Sequence, residues 1–175
     1  GYGITLFAED EFYKSILFED NYGLEISFEK SFSKSISFNI KPKFGTEIIR
    51  VDAPYQARNT GIALGIELKP SDEFKLNFRM DQSKSIRFEN DEVVYSDMIA
   101  RARFEYQATT FLNFRLVAQY HRYYDTFDIQ PLVSYQPGPF SIFYFGTSRS
   151  YDTSFPGWEE SYGQIYLKVQ KLFSF

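Results

Sequence analysis

His121 is the single histidine of this 175-residue chain, and imidazole is the side chain best suited to move a proton near neutral pH. Asp125 and Asp128 follow it closely, so a histidine–carboxylate pair acting as a general base is the first chemistry to weigh. Such a pair needs a nucleophile or a second acid beside it, and no spacing in the sequence fixes one. The plainer reading, a histidine bonded to a neighbour, is preferred, and no catalytic residue is assigned. Cysteine is absent, which removes disulfides, thiolate chemistry and cysteine zinc sites. The acidic sets Glu89, Asp91, Glu92 and Asp152, Glu159, Glu160 lack the spacing of a calcium loop. Solvated charge is expected there, so neither a metal nor a cofactor is assigned.

A second set of charges has a clear period. Lys75 and Arg79, Arg101 and Arg103, and Arg115 occupy alternate positions of three successive runs, and Glu67, Asp81 and Glu105 share their phase. In an enclosed interior these side chains would form either a positive stripe favouring anionic solutes or a set of ion pairs filling the space. For a barrel of eight to ten strands the filled interior is favoured; in a larger one the balance reverses.

The elements that hold these charges alternate with period two. Leu24, Ile26 and Phe28 oppose Glu25, Ser27 and Glu29, and Ile36, Phe38 and Ile40 oppose Ser35, Ser37, Asn39 and Lys41. Ile62, Leu64, Ile66 and Leu68 oppose Ala63, Gly65, Glu67 and Lys69, while Phe74, Leu76, Phe78 and Met80 oppose the Lys75 set. Met98 to Tyr106 and Leu112, Phe114, Leu116, Ala118 and Tyr120 continue the pattern, as do Ile129 to Tyr135. The run 140–150 is apolar on both faces for half its length and has no clear orientation. Residues 2–8 and 12–19 read as two further strands joined by residues 8–11. The count is about ten, or eleven if residues 2–8 form one. Connections at 30–34, 70–73, 107–110 and 136–139 read as tight, and 44–57, 82–93 and 151–160 as longer loops.

Strands of this length, an aromatic content of 20% and alternating short and long connections fit an up-and-down antiparallel transmembrane β-barrel. The apolar sides, Leu24, Ile26, Phe28, Ile62, Leu64, Ile66, Phe74, Leu76, Phe78, Leu112, Phe114 and Leu116, are then lipid-facing. No run of eighteen apolar residues offers a transmembrane helix. A net charge of −4 provides no basic field for nucleic acid. No signal peptide opens the chain at Gly1, so an exported protein would be represented by a mature chain or a piece of one. The competing fold is a soluble, aromatic-rich β-sandwich that binds ligands.

Residues 161–175 (SYGQIYLKVQKLFSF) alternate throughout and end on an aromatic. The stretch resembles the carboxy-terminal targeting strand of bacterial outer-membrane β-barrel proteins, with Lys171 standing where an apolar residue is usual. That resemblance implies an assembly signal formed by Ile165, Leu167, Val169, Phe173 and Phe175, read by the barrel-assembly machinery. It also implies an outer-membrane location among lipid and lipopolysaccharide. Outer-membrane proteases and acyltransferases place a rim histidine beside aspartate or serine, but their paired acidic motifs have no residue-by-residue match around His121. From about Arg101 to Phe175, PLVSYQPGPFSIFYFG and IYLKVQKLF look similar to the end of a family of large outer-membrane barrels that follow a carbohydrate-binding-like domain. This likeness covers well under half the chain, carries no catalytic motif and implies that something is missing upstream. The expectation is a structural or passive-transport barrel without catalysis, the alternatives being a rim hydrolase or acyltransferase using His121 and the soluble sandwich.

Overall fold

A computed structural model describes residues 1–154 and 156–171. They form ten antiparallel strands in one up-and-down sheet whose spatial order is the chain order. The strands are β1 (Tyr2–Tyr13), β2 (Ile16–Ser33), β3 (Ile36–Ile49), β4 (Tyr55–Leu68) and β5 (Phe74–Arg87), followed by β6 (Val93–Gln107), β7 (Leu112–His121), β8 (Thr126–Gly138), β9 (Ser141–Asp152) and β10 (Glu159–Lys171). The all-β, antiparallel, ten-stranded expectation is met. Among the described residues β1 and β10 each keep one unpaired edge.

Cross-strand partners share a face, so the register assigns each paired side chain to one. Ile40 lies opposite Leu64, Leu64 opposite Met80, and Met80 opposite Ala100, which carries one apolar belt across β3 to β6. Phe114–Val133, Tyr135–Phe143 and Phe143–Val169 extend it to β10. At the other end Leu24 and Ile26 of β2 face Leu6 and Ile4 of β1. The opposite face is polar. This resolves β9: Phe143 and Phe145 lie in the belt, and Tyr144, Gly146 and Ser148 face the polar side.

Among the described residues nothing covers the belt. Leu6 and Leu167 are 74% and 72% exposed, and among the described residues the buried apolar side chains are Phe18, Ile48, Ala57 and Val117. No helix is long and apolar enough to cross a membrane, which says nothing about strands.

Several boundaries differ from the sequence expectation. The amino-terminal region forms two strands where the pattern suggested three. Its turn is Lys14–Ser15, with φ of 47° and 63°, the left-handed pair of a two-residue hairpin, here made without glycine. Glu9 pairs with Asn21 but Glu11 pairs with Phe18, so one extra residue sits in β2 near Asp20, whose φ is 57°. Such a bulge reverses the facing of all residues beyond it and mimics a strand end. The expected loops at 44–57 and 82–93 shrink to 50–54 and 88–92 because the ladder continues through them. Polar residues occur on both faces there, Thr46 and Lys84 on one and Glu47 and Ser85 on the other, which blurs the alternation. The asymmetry between the two ends is therefore one of ladder extension beyond the belt, and the long-loop contrast disappears.

Proline interrupts the ladder without ending it. The rungs at Ile26–Ser27 opposite Lys41–Pro42, and at Gln130–Pro131 opposite β9, are missing while the register on either side holds. A proline lacks the N–H for one such bond. Close approach sets Gly45, where a Cβ would collide with the Tyr22 carbonyl oxygen.

Candidate functional site

The polar face carries the chemistry, and its charges are banded along the strands. Toward the 69–73 and 108–111 turns lies a recess of about 420 Å³. Its cations are Lys75, Arg79, Arg101 and Arg103, set against Glu67 and Glu105 with Asn77 between. β4, β5 and β6 deliver these groups because alternate residues of paired strands project to one side. The register puts Asn77 opposite Arg103, Arg79 opposite Arg101, and Lys75 opposite Glu105. Glu67 accepts from Lys75 at 3.2 Å, and Arg103 is paired with Glu105 on its own strand. Both carboxylates are thereby engaged. Arg79 and Arg101, like charges directly opposed, make no ion pair among the described residues. Opposed like charges are destabilising. Arg115 on β7 lies opposite Glu105, and its Nε is buried without a hydrogen-bond partner.

Further along the same face the sign changes. A second recess of about 390 Å³ is lined by Glu47, Asp81 and Asp97 together with Lys43, Asn59 and Ser83. Lys43 is drawn off to Glu25 at 3.0 Å. Ser85 is fully buried and donates its hydroxyl to Glu47 Oε1. Asn59 Nδ2 lies 3.0 Å from Glu47 Oε2 and 3.2 Å from Ser83 Oγ. This network ties β3, β4 and β5 together where the ladder runs beyond the belt.

His121 completes the second region. Its Nε2 is 2.8 Å from Asp97 Oδ2, and the pair is 18% and 11% exposed. Asp97 also accepts from the Met98 amide at 2.7 Å, the Tyr123 amide at 3.1 Å and the Tyr95 hydroxyl at 3.2 Å. The Tyr124 ring meets the imidazole edge-to-face with centroids 4.6 Å apart. The carboxylate partner thus comes from β6, across the ladder. Asp125 sits in the 122–125 turn with φ 46°, and Asp128 lies on β8 opposite Gln119. Among the described residues no hydrogen bond joins His121 to a serine, a threonine or a second carboxylate. A histidine–aspartate pair without a nucleophile can hold a turn; it has no group positioned to attack a substrate.

Three of the six acidic residues in 89–92 and 152–160 have arginine partners. Asp91 meets Arg58 at 2.7 Å, Glu92 meets Arg87 at 3.3 Å, and Glu160 meets Arg149 at 3.0 Å. No group of three or more metal-binding side chains occurs among the described residues.

No family model matches the chain, and no curated protein matches it. The likeness to barrels that follow a carbohydrate-binding-like domain therefore has no counterpart there. Among solved structures the chain is similar to the CymD monoaromatic hydrocarbon channel, with a TM-score of 0.46 and 11% identity. The match covers 88% of this chain and 52% of that one, so the chain spans about half the length of its structural neighbour.

The residues singled out in the sequence fall as follows. Glu67, Lys75, Arg79, Asp81, Arg101, Arg103, Glu105 and Arg115 share the polar face. Leu24, Ile26, Phe28, Ile62, Leu64, Ile66, Phe74, Leu76, Phe78, Leu112, Phe114 and Leu116 share the apolar one. Ile165, Leu167 and Val169 are in register with Thr147, Phe145 and Phe143 of β9. Phe173 and Phe175 lie outside the described residues. Asp97 escaped the sequence reading because it precedes the apolar run of β6 in what looked like loop. The parity it shares with Arg101 and Arg103, six residues or fewer away, was the available signal.

Proposed function

We propose that the protein is a β-barrel of the bacterial outer membrane, or a section of a larger barrel wall, through which small polar solutes pass without catalysis. The observation that carries this is the uncovered apolar belt. A sandwich would lay a second sheet over that face, yet all ten described strands belong to one sheet. In a bilayer the belt needs no protein cover, and acyl chains supply the contact. Along β8 it runs from Phe127 to Tyr135, about 26 Å of strand at roughly 3.3 Å per residue, which a tilt of about 40° turns into about 20 Å of height. The apolar band of outer-membrane barrels is about 25 Å tall. Aromatic residues gather at its short-turn border, where Phe74 and Phe104 pack edge-to-face at 4.6 Å and Tyr135 stacks on Phe143 at 6.4 Å. That is the position of an interfacial girdle.

Hydrocarbon does not tolerate unpaired strand edges. The proposal therefore includes pairing of the free edges of β1 and β10, with each other or with further strands. Lipid and lipopolysaccharide are the surroundings, and the barrel-assembly machinery is the partner during insertion, on the strength of the Ile165, Leu167, Val169 alternation. The Lys75–Glu67 and Arg103–Glu105 pairs favour a partly filled interior in a ten-stranded barrel.

Extraction tests the reading. The protein should stay with membranes after alkaline carbonate, need detergent for release, and migrate differently on gels before and after boiling. In planar bilayers it should then give discrete conductance steps. A chain that stays monodisperse in buffer without amphiphile contradicts the proposal.

A further inference from the structure

The recess between β4, β5 and β6 holds more positive than negative charge, and its two carboxylates are already bound. Glu67 is held by Lys75 and Glu105 by Arg103, which leaves Arg79 and Arg101 facing each other across the β5–β6 ladder without an anion. Two guanidinium groups so placed repel, and Asp81, the next residue on this face of β5, makes no ion pair with either among the described residues. An oxyanion between them removes the repulsion. Each guanidinium offers a planar fork of N–H donors matched to a carboxylate or phosphate edge. Asn77, beside them in the lining, adds an amide that can donate. The recess, about 420 Å³, lies within the range of small-molecule sites. Arg115, one strand further on with an unsatisfied buried Nε, keeps the local potential positive.

We infer that this recess is a binding site for a small dianion, with Arg79 and Arg101 as its clamp and Asn77 as its third donor. The inference deepens the barrel reading, since it names the solute class such an interior would select. Banding supports it: the acidic set Glu47, Asp81 and Asp97 lies further along the same face, so an anion is held at the basic end and repelled toward the other.

Free phosphate and a dicarboxylate share the chemistry, and separate titrations distinguish them. Isothermal titration calorimetry of the whole chain in a non-ionic detergent, with inorganic phosphate and with succinate, should give saturable binding for one or both, weakening as salt rises. Arg101→Gln should weaken it about tenfold, the loss of roughly one charged hydrogen bond. Arg101→Lys, which keeps the charge but loses the fork, should fall between. Lys84→Gln, on the other face beyond the belt, should change nothing. Absence of saturable heat with either anion in the unaltered protein overturns the inference, and so does an Arg101→Gln variant that binds as well as the original. Conductance in planar bilayers is read separately. Binding without conductance leaves the site standing and removes the pore; conductance without binding does the reverse.

Discussion

Arginine in place of Leu64 should lower stability in phosphatidylcholine vesicles by about 2–4 kcal/mol, the cost of a cation near the bilayer midplane. Leu64 sits in the middle of the belt, between Ile40 of β3 and Met80 of β5. It has no side-chain cover above it, so the penalty cannot come from overpacking a core. It comes from moving a guanidinium into hydrocarbon, with only partial relief by snorkelling. Thr60→Arg, on the same strand and face but past the belt, should cost no more than about 1 kcal/mol, most of it repulsion by Lys84 directly opposite. Guanidinium unfolding titrations of the two variants give the comparison directly. Equal, small costs at both positions would place the apolar face in water.

The second large effect belongs to Asp97. This carboxylate gathers four donors: the His121 imidazole, the amides of Met98 and Tyr123, and the Tyr95 hydroxyl. It thereby fastens the 122–125 turn to β6. Asp97→Ala would strand the Tyr123 amide and the imidazole in a largely buried setting. The expected loss is about 2–3 kcal/mol, set by unsatisfied groups more than by the bonds themselves. Asp97→Asn keeps an acceptor oxygen and should lose less. Limited proteolysis offers a second readout, with new cleavage within 122–125 in the alanine variant alone. If Asp97→Ala unfolds at the same denaturant concentration as the unaltered protein, Asp97 does not anchor this turn.

How much of this the sequence discloses depends on whether the two faces differ. From Ile62 to Tyr120 one side of each strand is apolar and the other charged, so period and phase are both visible and the short turns at 70–73 and 107–110 fall close to their places. Where polar residues lie on both sides, as Thr46 and Glu47, Arg58 and Asn59, or Lys84 and Ser85 do, alternation fades although the ladder continues. With polar side chains on both faces, strand and loop look alike. At Lys14–Ser15 the turn lacks the glycine that usually marks it, and the β2 bulge then shifts the phase. A one-dimensional pattern assumes a constant register, so it divides β1 and β2 wrongly. The site was legible in the same uneven way. The arginine stripe follows from parity within single strands, whereas the opposition of Arg79 to Arg101 and the reach of His121 to Asp97 require the register between strands. Sequence proximity pointed to Asp125 and Asp128 because the partner one strand away was invisible.

The central claim is that even-numbered residues of β5 from Phe74 to Met80 face acyl chains while the odd-numbered ones face an enclosed polar interior. Nitroxide labels placed singly from Phe74 to Asp81 in the protein reconstituted into vesicles measure this residue by residue, through relaxation by dissolved oxygen and by a water-soluble nickel chelate. Oxygen accessibility should be high at 74, 76, 78 and 80 and low at 75, 77, 79 and 81, with a two-residue period. A flat profile, or even-numbered sites relaxed by the nickel chelate more than by oxygen, would contradict the account.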